Sequence, residues 1–190
     1  MTTSVIEIPG YVAGRWKADT VHSHIGFVVR HIMVSKVRGR FTGFDVEIVT
    51  AENPLESSAT LTVDLSTIDT DNETRDNHIR SSDFFDVESH PQMTYRTTAI
   101  RPDGDGFAVD GDLTLRGVTR QVPLKLTVEG FGPDPFRPDP FGGTRAGFSA
   151  TGEINRTDFG VSYNGPIPGG GVAIGDKVQI VLEVEAVLQP

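Results

Sequence analysis

Apolar and polar residues alternate along most of this 190-residue chain. Ile25, Phe27 and Val29 alternate with His24, Gly26 and Val28. Val37 and Phe41 lead on to Phe44, Val46 and Ile48, with a slip of phase beside Gly43 of the kind a bulge or sharp bend produces. The same two-residue period runs through residues 61–65, 93–95, 107–115, 122–128, 146–154 and 178–186. With residues 15–21, the pattern predicts eight or nine strands carrying one apolar face each, which is the signature of antiparallel sheet. Pro102-Asp103-Gly104-Asp105-Gly106 predicts a hairpin loop, and Arg116-Gly117-Val118-Thr119 a tight one. Strands of this number joined by short links form a sandwich or a closed barrel, and an eight-stranded barrel is wide enough to hold one small ligand.

One stretch, residues 68–91, does not alternate and is dense in charge. Thr70 followed by Glu73 has the spacing of a capping box, and Asp71–Arg75 and Asp76–Arg80 are acid-before-base pairs at i, i+4. The spacing predicts a helix over about 71–80, within a helical segment that reaches Phe84 and Phe85 by about residue 86. Ile79 is the only large apolar residue between 71 and 80, so this helix should lie across the surface or the mouth of the sheet. Two further segments predict irregular, mobile loops: 131–143, with D-P-F at Asp134 and again at Asp139, and 163–171, reading Y-N-G-P-I-P-G-G-G.

Charge and composition narrow the function. Twenty-six acids against 17 bases give a net charge of −9, which argues against nucleic-acid binding. The absence of cysteine excludes disulfides, thiolate catalysis and cysteine-ligated zinc. No run approaches the ~18 apolar residues of a membrane-spanning helix. Residues 1–14 contain no Lys or Arg and no sustained apolar run, so a secretion signal is not expected. The expected organisation is an N-terminal extension over 1–14 and one domain over 15–190, in a soluble, cytoplasmic protein.

Two motifs invite chemistry and fail on inspection. Asp69-Thr70-Asp71-Asn72-Glu73 begins like a calcium loop, but Thr74 stands at the sixth position and Arg80 at the twelfth. Gly170–Gly175 resembles a phosphate loop with Asp176 where a lysine is required. His22 and His24 are spaced to share one face of a strand, but a metal would need a further ligand such as His31 or His78; ordinary hydrogen-bonded histidines are the simpler reading. Arg75, Asp76 and His78 could form an acid/base group, although spacing alone does not bring a base within reach of a proton. His31 closes the apolar run of Ile25, Phe27 and Val29 in the same phase, which suits a core residue or the contact to a ligand head group.

Several blocks, in order, closely resemble the YceI-like family: W-K-A-D-T-V-H-S-H-I-G-F at 16–27, H-I-M-V-S-K-V-R-G-R-F at 31–41, T-R-D-N-H-I-R-S-S-D-F-F-D at 74–86, G-D-L-T-L-R-G-V-T at 111–119, N-R-T-D-F-G-V at 155–161 and G-D-K-V-Q-I at 175–180. The resemblance covers about residues 15–187. It implies an all-β fold, an eight-stranded antiparallel barrel of the lipocalin kind, and an interior that holds a long polyisoprenoid or acyl chain. It also implies no catalysis, with isoprenoid quinones or their precursors as the ligand class. Two departures are the long, proline-rich 131–143 loop and the missing secretion signal.

The apolar face agrees, because a barrel with polar outward residues turns its Phe, Leu, Val and Ile inward. The expected ligand-binding residues are Phe27, Val29, Phe41, Phe44, Leu61, Val63, Tyr95, Leu113 and Leu115. Ile79, Phe84 and Phe85 would border the cavity from the helical segment, and His31, Arg75, Asp76 and His78 would read a head group. Gly39, Gly111, Ala146 and Ala150 would leave room in the interior. No metal or cofactor is expected beyond the bound lipid; a transient membrane contact and a homodimer are admissible partners. Two alternatives stay open: an enzyme acting on a lipid through an Asp/His pair, and an interaction protein whose barrel is solidly packed.

Overall fold

The computed structural model describes residues 6–136 and 143–190. The alternating stretches become antiparallel strands: β1 (Gly14–Ala18), β2 (His24–His31), β3 (Ser35–Phe41), β4 (Phe44–Thr50), β5 (Ser58–Asp64), β6 (Ile68–Asp69), β7 (Gln92–Asp103), β8 (Gly106–Leu115), β9 (Val118–Pro133), β10 (Thr144–Asn155) and β11 (Ile174–Leu188). One helix, α1 (Glu73–Arg80), lies between β6 and β7. The ring β1-β4-β5-β7-β8-β9-β10-β11 closes on itself through the pairing of β1 with β11, giving an eight-stranded barrel.

The three remaining strands extend that ring at one end. β11 is long enough to pair with β1 through residues 186–188 and with β2 through residues 174–183. β3 continues β4 beyond Thr42-Gly43, where the sequence slips phase, and β6 continues β5 beyond a 3₁₀ turn at Leu65–Thr67. Each of the first three barrel strands is therefore broken once. A two-residue β6 cannot span from β3 to β7, and α1 with residues 81–91 occupies the interval instead. The β7–β8 and β8–β9 turns fall where the Gly-containing sequences predict, with Gly104 and Gly117 at positive φ.

Two apolar clusters form the core. The larger includes Ile25, Phe41, Val46, Val63, Leu65, Ile68, Phe84, Tyr95, Leu113, Leu124 and Phe159. The smaller centres on Trp16, Ala146 and Ala186, with Phe131 and Phe148 against it. The indole of Trp16 donates to Thr50 Oγ1 at 2.8 Å, which satisfies its buried N–H. Arg145, opening β10, ties this end together by donating to Asp134 (2.9 Å), Asp19 (2.8 Å) and Glu185 (2.7 Å).

Several expectations are corrected. Strand β9 runs to Pro133, so the first three residues of the expected loop are strand; the second D-P-F, at Asp139, lies outside the described residues. His22 sits in the turn after β1, bonded to Asp19 at 2.9 Å, and does not share a strand face with His24. The helix is capped by Asn72, whose side chain accepts from the N–H of Arg75, and not by Thr70. Arg75 and Arg80 bond to Thr70 and to the Ser66 and Ile68 carbonyls, in place of the predicted i, i+4 pairs.

Candidate functional site

The barrel encloses two stacked cavities. The larger, about 440 Å³, lies toward the end formed by α1, the β2–β3 turn and residues 156–174. The smaller, about 150 Å³, lies toward the Trp16 end, where Ile8 and Tyr11 of the N-terminal segment help to line it. Tyr11 is held there by its hydroxyl, which donates to the Ala51 carbonyl at 2.7 Å. Ile25, Leu61, Tyr95, Leu124 and Leu182 line both cavities and form the partition between them.

Tyr95 is the best defined part of that partition. Its ring lies over Gly111 of the neighbouring strand, where any Cβ would fall within the ring. Its hydroxyl donates to the Val122 carbonyl at 2.9 Å. Burial, with the nearby Asp110 and Asp112 carboxylates, pushes the phenol well above its ordinary pKa, so it remains a neutral donor. Phe27 covers Gly39 in the same way. The space that these two glycines were expected to leave open is taken by aromatic rings. Ala150 does line the smaller cavity, whereas Ala146 is packed against Trp16.

Of the residues singled out in the sequence, Phe27, Val29, His31, Phe41, Leu61, Arg75, His78, Ile79, Phe84, Phe85, Tyr95, Leu113 and Leu115 line the larger cavity. Phe44, Val63 and Asp76 do not. Val63 is fully buried opposite Phe44 on the β4–β5 pair, in solid packing and away from either void. Asp76 is buried, and one of its carboxylate oxygens accepts from the N–H of Thr70 at 3.0 Å and its hydroxyl at 2.5 Å. Thr70 Oγ1 accepts in turn from Arg75 Nε at 2.8 Å. Asp76 thus fixes the entry to α1, and the acid/base group drawn from Arg75, Asp76 and His78 is not assembled. The carboxylate next to His78 Nε2 is Asp83, at 2.8 Å on the outside of the helix.

Further lining residues come from β10, β11 and the segment between them, beside Ile25, Val37, Met93 and Leu124 on other strands. Ile154, Ile174, Val178, Ile180 and Leu182 line the larger cavity; the alternation over 146–154 and 178–186 already marks all but Ile174 as inward. Arg156, Val161 and Tyr163 carry no such signal. Arg156 is buried, and its guanidinium donates to the carbonyls of Val161 (2.8 Å), Tyr163 (2.9 Å) and Gly175 (3.0 Å) and to the Asp176 carboxylate (3.2 Å). Burial lowers its pKa against the opposing pull of Asp176. This fork holds the segment after Phe159 against the start of β11. Tyr163 then stands edge-on to His78 (4.9 Å) and beside Phe84 (5.2 Å), so three rings from separate segments border one end of the cavity.

Polarity is confined to that end, where Arg30, His31, Arg75, His78 and Arg156 contribute; elsewhere the walls are aliphatic or aromatic. Along β11 the lining extends from Ile174 to Leu182, roughly 26 Å of strand, or about 20 Å along the barrel axis at the usual tilt. A slot this long, apolar along its length and cationic at one end, can hold an extended hydrocarbon with a polar group at the rim. The unfilled interior contradicts the solidly packed barrel.

Comparison with known proteins gives the family and the fold. The family model described as the YceI-like domain matches residues 16–186. The UPF0312 protein SERP2314 of Staphylococcus epidermidis is 38% identical over 172 residues, covering 90% of this chain and 96% of its own length. In structure, BcnA of Burkholderia cenocepacia superposes with a TM-score of 0.75 at 24% identity, covering 88% of this chain and 98% of the other. A polyisoprenoid-binding domain from Saccharophagus degradans superposes with a TM-score of 0.62 at 17% identity, covering 92% and 98%. At these identities the two structures attest the fold.

Proposed function

The chain belongs to the YceI-like family, and from that premise we propose that it binds a long-chain isoprenoid lipid in the larger cavity. The ligand class is a polyprenol, an isoprenoid quinone or a precursor of one, which the protein sequesters or carries without chemical change. The observation that carries the reading is the cavity of about 440 Å³, apolar except at one end. The polyisoprenoid binding attributed to the Saccharophagus degradans domain supports it.

The energetics suit a chain and say little about its identity. Each buried methylene contributes ~0.8 kcal/mol, so a few isoprene units supply several kcal/mol before association costs are subtracted. Selectivity then comes from the length of the slot and from the polar end. There His31, Arg75 and His78 are positioned to meet a head group, with Phe84, Phe85 and Tyr163 against the first units of the chain.

Mass spectrometry of an organic extract of the purified protein tests the reading. A co-purified isoprenoid, or stoichiometric uptake of added polyprenol, is the expected result. An empty extract together with no uptake would overturn it.

A further inference from the structure

The turn between β2 and β3 is built against the local rules of hairpins. It is closed by the N–H of Val34 donating to the His31 carbonyl at 3.1 Å, and its central residues, Ile32 and Met33, hold φ of 41° and 60°. Positive φ at these places is the province of Asn and Gly; a β-branched residue there is strained. The side chains also face water. Ile32 is 44% exposed, Met33 52% and Val34 80%, and Val172 beside them is 45% exposed; the Ile32 N–H donates to the carbonyl of its neighbour Ala173 at 2.8 Å.

Charge on the same hairpin breaks a second rule. Arg30 and Lys36 are direct cross-strand partners, an arrangement that destabilises a sheet through like-charge repulsion. Lys36, Arg38 and Arg40 follow one another on the outward face of β3, and residues 20–44 contain four Lys or Arg and no Asp or Glu; Arg40 is paired with Asp69 at 2.8 Å, which leaves Arg30, Lys36 and Arg38 as the basic group of the hairpin. This in a chain of net charge −9 is a local segregation. Screening within ~8 Å at physiological ionic strength lets the nearby charges dominate what docks at this tip.

Both departures cost stability in water, and both are relieved in one setting, an anionic lipid surface: the apolar tip enters the acyl boundary and the basic residues meet the head groups. The turn also stands at the cavity's polar end, since His31 and Ala173 line it. Resting on the lipid-binding reading, we propose that the Ile32-Met33-Val34 tip, with Arg30, Lys36 and Arg38, is the surface by which the barrel docks on anionic membranes to exchange its ligand.

Vesicle flotation tests the docking directly, with phosphatidylcholine vesicles compared with vesicles that also contain phosphatidylglycerol. The protein should float with the phosphatidylglycerol vesicles, and less so as salt rises. Lys36→Glu, which turns a repulsive pair into an attractive one, should lower that association about thirtyfold, at ~1 kcal/mol for each unit of charge. The double variant Ile32→Asn, Met33→Gly suits the turn better, so it should melt higher than the parent and yet lose flotation. Both variants should still take up polyprenol delivered in detergent. Flotation equal on both vesicle types, or unchanged in both variants, overturns the proposal, and absence of flotation does so too. Failure of the parent to take up polyprenol from detergent would instead overturn the lipid-binding reading, leaving flotation to decide the docking.

Discussion

The ring of Tyr95 lies over Gly111, and its hydroxyl reaches across that strand to the Val122 carbonyl at 2.9 Å. Two neighbouring strands and a third are thereby fastened around a bulkhead that separates the two cavities. The absence of a side chain at Gly111 is what permits it.

Substitutions at this pair should separate stability from cavity length. Tyr95→Phe keeps the ring and loses the hydrogen bond, for about 1 kcal/mol and a fall of roughly 2–4 °C in Tm. Tyr95→Ala removes the bulkhead at about 3–5 kcal/mol. If it still folds, it should accept polyprenols several units longer than the parent does, as measured by competition between chains of different length. Gly111→Ala forces the ring aside and should cost about 1–3 kcal/mol by thermal melting.

Asp76 is expected to be a structural residue. Asp76→Asn weakens the bonds to Thr70 at the entry to α1 and should destabilise the fold by about 1–3 kcal/mol in denaturant titration. Polyprenol uptake by the folded fraction should stay within a factor of two of the parent. Loss of uptake at full stability would return Asp76 to the ligand site.

Arg156 should be irreplaceable for geometric reasons. Removing it strands the Val161, Tyr163 and Gly175 carbonyls, at an expected cost of about 3–5 kcal/mol in Arg156→Met. Arg156→Lys should recover little, since an ammonium cannot reproduce the planar fork. Faster amide hydrogen exchange in residues 161–175 is the accompanying sign.

The Asp19–His22–Arg145 group predicts a pH window. Hydrogen bonds from His22 and Arg145 hold the Asp19 carboxyl well below 3.8, so its stabilising effect is present above that pH and is lost as acid titrates it. The bond to Asp19 raises His22 above 6.5, so its effect is present below that pH and is lost as pH rises through the raised value. The Tm gap between the parent and Asp19→Asn should therefore be widest between about pH 4 and 6.5 and shrink on both sides. A gap independent of pH would contradict the pairing.

Much of this architecture can be read from the chain, because period-two alternation reports which face of a strand turns inward. It does not report depth. Phe44 and Val63 point inward like Phe41 and Leu61, yet they meet solid packing where the others meet a void. The Thr70–Glu73 spacing misplaces the start of α1 for a different reason: Thr70, Asp71 and Asn72 are all capping residue types, and only tertiary structure commits Thr70 to Asp76 and leaves the cap to Asn72. Arg156, Val161 and Tyr163 escaped because their segment has no regular period. Arg156 and Val161 do fall within the N-R-T-D-F-G-V block at 155–161, where Gly160 holds a φ of 74°, but that block gives no sign of which way its side chains face.

The central claim is that the larger cavity holds the lipid chain, and native mass spectrometry with added polyprenol tests it against a filled cavity. Ile180 lines that cavity midway along β11, and Ile180→Trp would occupy the space without adding charge. The parent should bind one polyprenol per chain, and a folded Ile180→Trp should bind none. Equal binding by both would contradict the account.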